Sequence, residues 1–119
     1  MLRVDIQSAP PFVTLICSGR IVLGVEAETL RCMATSRPER HLSLQLSQVH
    51  AIDAAGLGLL VELQQWAQSR RGILTIANPS PRVLKLIMLT RLHRVLHLSG
   101  LSFETISPRD PEEWQIMTA

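Results

Sequence analysis

One acidic turn, four histidines and two cysteines are the groups in this chain with chemical potential. The turn lies in Val49-His50-Ala51-Ile52-Asp53-Ala54-Ala55-Gly56-Leu57-Gly58-Leu59-Leu60, an apolar run that ends in one carboxylate, two tiny residues and Gly-Leu-Gly. A long amphipathic pattern follows at once. This order reads as a strand turning sharply into a helix, with small side chains keeping the turn bare. Asp53 then suits an N-cap, its carboxylate accepting backbone N–H bonds from the next turn. Gly56-Leu57-Gly58 also has the outline of a phosphate-binding loop. Val61, however, stands where a dinucleotide fingerprint needs its third glycine, and no Lys-Ser/Thr follows as in a Walker loop. Close helix–sheet packing accounts for the glycines instead.

The remaining reactive groups lack companions. No Gly-x-Ser-x-Gly elbow is present, and His41, His50, His93 and His97 have no recognisable acid partner in sequence. His93 and His97 are four apart and could share a helix face, but no third ligand is identifiable, so no metal site is expected. Cys17 in an apolar strand and Cys32 in a helix read as core or semi-buried thiols. Arg82, Lys85, Arg91 and Arg94 form a basic stretch, which reads as a solvated face or, as a second option, a patch for an acidic protein. No catalytic residue and no cofactor follow from these patterns.

The elements that must position Asp53 are legible around it. Phe12–Cys17 is apolar and β-branched between Pro11 and Gly19, a strand, and Ile21-Val22-Leu23 is expected as a short second strand after a Ser18-Gly19-Arg20 turn. Ala27, Leu30, Met33 and Ala34 recur at helical spacing over 25–35, and Pro38 limits that helix. Leu42, Leu44 and Leu46 alternate with polar residues as a strand does. After Asp53, Leu59, Leu60, Leu63, Trp66 and Ala67 form an apolar helical stripe, with Gln64, Gln65, Gln68 and Ser69 on the far side. Arg70 and Arg71 suit that helix's last turn and Gly72 its stop. Ile73–Ala77 is the next strand. Ser80 caps, and Pro81 opens, a helix burying Val83, Leu84, Ile87 and Met88. Beyond it, Val95-Leu96 or Ser102–Ile106 is an edge strand, and Asp110 caps a last helix from Pro111 that holds Trp114 and Met117. The order predicts an α/β fold, a mixed sheet of about four to five strands with helices packed on it, as one domain over 1–119.

Composition narrows the function classes. The chain has 119 residues, 46% of them hydrophobic, enough for one core and one domain. A net charge of +2 with 18% charged residues forces neither a nucleic-acid nor a membrane-surface partner. With no Tyr, two Phe and two Trp, a base-stacking platform is not expected. Two cysteines, no signal-peptide pattern and no span-length apolar run point to a cytoplasmic protein with reduced thiols and no membrane insertion.

The Asp53 turn and its downstream companion Ala77-Asn78-Pro79-Ser80-Pro81-Arg82-Val83 together resemble the STAS domain, the fold of bacterial anti-sigma factor antagonists. In that family the turn typically reads Ile-Asp-Ser-Ser-Gly-Leu-Gly, and the serine directly after the aspartate is phosphorylated. Here that position is Ala54. The Asn-Pro-Ser-Pro loop matches, while Leu89-Thr90-Arg91-Leu92 has arginine in place of the family's glycine. Ser18-Gly19-Arg20-Ile21-Val22 resembles the Gly-Glu-Leu-Asp turn without its acids, and Gln45 likewise replaces an acid. The resemblance runs from about Phe12 to Leu96. It implies a non-catalytic protein-interaction module in partner switching. Such a module binds a GHKL-type anti-sigma factor kinase through Asp53, Ala54, Ala55, Gly56 and Leu57, releases a sigma factor, and here has lost the phosphosite at Ala54. The alternative is a STAS subunit of a phospholipid-transport ABC complex, bound to its ATPase. A small-ligand or nucleotide-binding role rests only on the glycines.

Overall fold

The structure, a computed structural model, describes residues 1–100. The expectations for Ser102–Ile106 and for a helix from Pro111 lie outside the described residues. Within them the chain runs β1 (Leu2–Ala9), β2 (Phe12–Ile21), α1 (Val25–Thr35), β3 (His41–Ile52), α2 (Ala54–Ser69), β4 (Leu74–Ala77), α3 (Pro81–Leu89), a 3-10 turn at Leu92–Arg94, and β5 (His97–Ser99). The strands form one sheet in the order β1-β2-β3-β4-β5. The β1–β2 pair is antiparallel; all later neighbours are parallel.

That order dictates where the helices go. Each parallel step, from β2 to β3 to β4 to β5, moves the same way along the sheet through one helix. Crossovers of one hand and one direction place every helix on the same face. The core agrees: Leu30 and Ala34 of α1, Leu59, Leu60, Leu63 and Ala67 of α2, and Val83 and Ile87 of α3 join Val13, Leu15, Leu42, Leu44, Leu74 and Ile76 in one buried cluster. Strand residues of opposite parity are half-buried, with Thr14, Ser43 and Thr75 aligned across the sheet. The same topology brings the first turns of α1, α2 and α3 to one end, outside the carboxyl ends of the parallel strands.

Several expectations need correction. Ile21-Val22-Leu23 is not a separate strand: β2 continues through Ile21, because Gly19 stays paired with both Leu2 and Val49 and takes up the irregularity at φ 106°. The amino-terminal strand β1 was not expected at all. Gln64 is buried rather than on the exposed side of α2, because the segment after the 3-10 turn covers it and its Nε2 donates to the Val95 carbonyl. α2 ends at Ser69, and Arg71 rather than Gly72 adopts the left-handed conformation. Arg70 stacks over the Trp66 ring at 4.4 Å and donates to the Arg37 and Pro38 carbonyls. Cys32 is exposed, two positions past the inward Leu30, whereas Cys17 is buried and its thiol is pushed up to about 12 by desolvation. His93 lies in the 3-10 turn and His97 on β5, so the pair shares no helix face. The edge strand falls at 97–99, just past Val95-Leu96.

At the end of the sheet away from the helix starts, Glu39 is a buried carboxylate. Arg37 donates to it twice, at 3.0 and 2.7 Å, and the Ser8 hydroxyl donates to it from β1. These donors hold its pKa down at about 2 from an ordinary 4.5, Arg37 being the larger cause and Ser8 the next. A depressed carboxylate stabilises the fold fully above the unfolded value and loses that contribution as pH falls through the folded one. Glu39→Gln should therefore lower the denaturation midpoint at neutral pH. The gap to wild type should narrow below pH about 4.5 and vanish near pH 2. Urea titrations across that range would show it, and a gap independent of pH would refute this role for Glu39.

Candidate functional site

The turn between β3 and α2 is built around Asp53. Its backbone is extended (φ −113°, ψ −174°), which aims the carboxylate back at the first helical turn. Oδ1 accepts the Gly56 N–H at 2.8 Å, the bond expected of a cap. Oδ2 accepts the Leu23 N–H at 2.9 Å, from the loop after β2. This second bond was not foreseen from sequence. One carboxylate thus closes the start of α2 and fastens a neighbouring loop to it. The two backbone donors, Leu23 first and Gly56 second, hold the Asp53 carboxyl below the ordinary carboxylate range. The group is anionic at physiological pH, and its lone pairs face inward to the backbone.

The five residues of the turn divide by orientation. Ala54 is exposed, Ala55 and Asp53 are half-buried, and Gly56 and Leu57 are buried. Leu57, only 7% exposed, belongs to the core cluster, so little of the side chain expected at a contact lies on the surface. Gly56 is required by packing, since a Cβ there would stand 2.2 Å from the Ile21 carbonyl oxygen and 2.6 Å from Ile52 Cγ1. Gly58 is different: it is exposed, and a Cβ there would meet nothing within 4 Å.

Two side chains unmarked by the sequence complete the surface. Leu23 is 77% and Val25 79% exposed, on the loop that Asp53 fastens and on the first residue of α1. Met1 and Leu89 are comparably bare elsewhere, but these two fall close together beside a tethered, small-residue helix start. α1 and α2 are also joined laterally, because Arg31 donates through Nε to Glu62 at 2.6 Å and pairs with Glu28. At the neighbouring helix start, Ser80 accepts the Val83 N–H at 3.4 Å and donates to the Val49 carbonyl at 2.6 Å, so the Asn-Pro-Ser-Pro loop locks α3 onto β3. Arg82 donates to the His50 carbonyl at 3.3 Å, and Arg82, Lys85, Arg91 and Arg94 are all exposed.

This geometry disfavours a phosphate loop. The Gly56 N–H that would face a phosphate is held by Asp53, whose own charge repels an anion. Among the described residues no group of three or more His, Cys, Asp or Glu could hold a metal, and no helix is long and apolar enough to cross a membrane. What the arrangement offers is a helix start fastened to a neighbouring loop, with Leu23, Val25 and Ala54 bare beside it. The two glycines make it testable. Gly56→Ala should destabilise the domain by about 1–3 kcal/mol, as overpacking does, whereas Gly58→Ala should stabilise it by roughly 0.5–1 kcal/mol. Denaturant unfolding of both variants would decide, and equal effects would contradict the packing described.

Comparison with known proteins follows the same lines. The family model described as "STAS domain" matches residues 4–106. A Thermotoga maritima protein assigned as an anti-sigma factor antagonist superposes with a TM-score of 0.74 at 20% identity, covering 87% of this chain and 91% of its own. An anti-sigma factor antagonist from Mycobacterium paratuberculosis gives 0.73 at 19% identity, covering 92% and 96%. The anti-sigma factor antagonist SpoIIAA, in its unphosphorylated form, gives 0.68 at 17% identity, covering 87% and 93%. At these identities the structural likeness is one of fold. With the family match spanning most of its length, the chain belongs to the STAS domain family.

Proposed function

We propose that this protein is a non-catalytic interaction module of the anti-sigma factor antagonist kind. It docks a GHKL-type anti-sigma factor kinase against Asp53, Ala54 and Ala55 and so releases a sigma factor. The observation that carries the reading is the exposed Ala54 at the first position of α2, beside bare Leu23 and Val25 on the loop that Asp53 tethers. An interface core of this type is depleted in charge and rich in apolar contact. The similarity in fold to anti-sigma factor antagonists supports it.

On this reading the regulation differs from that of relatives with a serine here. A phosphoserine would bring about −1.5 to −2 charges, which the positive end of the helix dipole would accept within the domain but which an apolar partner surface would not. Ala54 has no oxygen to modify, so docking through this helix start is constitutive. The compartment is the cytoplasm, where such a kinase and sigma factor reside.

Ala54→Asp supplies a clean test, because an acid at the first helical position is compatible with the dipole and leaves the fold intact. In affinity capture from the source cells, the native chain should recover a GHKL-type kinase and Ala54→Asp should recover at least about tenfold less, the effect of some 1.4 kcal/mol. With the recovered kinase and ATP, intact-mass measurement should show no phosphate on the native chain and one phosphate on Ala54→Ser. Recovery of a transporter ATPase in place of the kinase would assign the protein to the lipid-transport branch and defeat the antagonist reading.

A further inference from the structure

β1 is an edge strand, and among the described residues nothing pairs with its outer side. One bond fixes where its backbone groups point. The Arg20 N–H donates to the Met1 carbonyl at 3.0 Å, and the β1–β2 register then runs unbroken from Leu2↔Gly19 to Ala9↔Phe12. Opposed residues of an antiparallel ladder alternate between bonded and non-bonded pairs. The odd-numbered residues of β1 therefore bond to β2, while Leu2, Val4, Ile6 and Ser8 direct their N–H and C=O groups outward. An open row of this kind is a template for another strand.

The side chains are sorted as strictly. Val4 and Ile6 stand opposite Cys17 and Leu15, on the core side of the sheet, and Leu2 shares that side. They are incompletely covered, Ile6 being 41% exposed. Arg3, Asp5 and Gln7 occupy the other side, all exposed, with Arg3 Nε 3.4 Å from Asp5 Oδ2.

We propose that β1 pairs antiparallel with β1 of a second copy of this chain, centred on Val4, so that one sheet runs through both molecules. The outward groups allow only registers in which even residues face even residues. With Val4 opposite Val4, Leu2 meets Ile6 and covers its exposed surface, and Arg3 meets Asp5 twice by symmetry. Sliding the copy two residues either way sets Arg3 against Arg3 or Asp5 against Asp5. The alternating sequence Leu2-Arg3-Val4-Asp5-Ile6 is thus self-complementary in a single register, in charge as well as in apolar contact. This pairing is independent of the helix-start surface and of the partner assigned to it.

Sedimentation equilibrium of the full chain over a concentration series tests the proposal. Wild type should show a monomer–dimer equilibrium. Arg3→Asp alone and Asp5→Arg alone each place like charges opposite one another and should weaken the dimer at least about tenfold. An equimolar mixture of these two variants should recover a heterodimer, and the double swap Arg3→Asp/Asp5→Arg a homodimer. Ile6→Pro deletes an outward N–H without touching the β2 ladder and should also give monomer with an unchanged circular dichroism spectrum. Wild type that stays monomeric at every concentration would overturn the proposal. A dimer indifferent to Arg3→Asp and Asp5→Arg would overturn it, and failure of the mixture to pair would overturn the register.

Discussion

A side chain at position 56 would drive a carbon to 2.2 Å from the Ile21 carbonyl oxygen, and much of the domain is arranged around that close approach. Because Gly56 lets the first turn of α2 rest on the end of β2, Asp53 comes within reach of the loop that follows β2. One carboxylate then supplies acceptors to two separate backbone segments. Leu57, next in sequence, is carried into the core, and Ala54, three residues earlier on the same side but at the very tip of the helix, is left outside. Exposure at the tip and burial one turn further in thus fall within four consecutive residues, held by one packing contact and one anion.

Arrangement at the other end of the sheet follows a different logic. There a buried carboxylate, Glu39, is tolerated because Arg37 meets it through two nitrogens and Ser8 adds a third donor. Three donors replace the water that burial removed, which is the condition for keeping a charge inside. The cluster ties β1 to the connection between α1 and β3, so the antiparallel strand is attached at its far end by electrostatics. Along its length it is held by the ladder to β2.

What the sequence disclosed followed from chemistry that is local. Asp53 as a cap, Ser80 as a cap with Pro81 behind it, and the stripe of α2 all depend on residues within a turn of one another. The second bond of Asp53 joins residues thirty apart, and nothing in the spacing signals that Leu23 would present its N–H there. Gln64 reads as an outward polar residue until the segment at Val95 folds over it. β1 is a different case. Leu2, Val4 and Ile6 alternate with Arg3, Asp5 and Gln7 as a strand does, but this short run is weaker than the more apolar one from Phe12. The family motif drew attention to the helix start, and the cap and the close packing found there rest on residues within that motif. Leu23 and Val25 were illegible as its neighbours, since their exposure is a property of the assembled loop and not of the residues.

Three helix starts meet at the carboxyl ends of the parallel strands, a place where folds of this kind often bind anions. Here each start is already answered from within the chain. Asp53 takes an amide of α2, Ser80 takes one of α3, and α1, which has no side-chain cap, carries Glu26 and Glu28 in its first turn. The positive ends of three dipoles are therefore met by the protein's own oxygens, and little attraction for a phosphate or nucleotide remains. The same oxygens let the rim be dry. With the Leu23, Gly56 and Val83 amides already bonded, fewer open backbone donors lie beside Leu23, Val25 and Ala54. Capping at this rim is thus more than a device for starting helices. It also answers from within the chain the attraction that helix starts otherwise have for small anions.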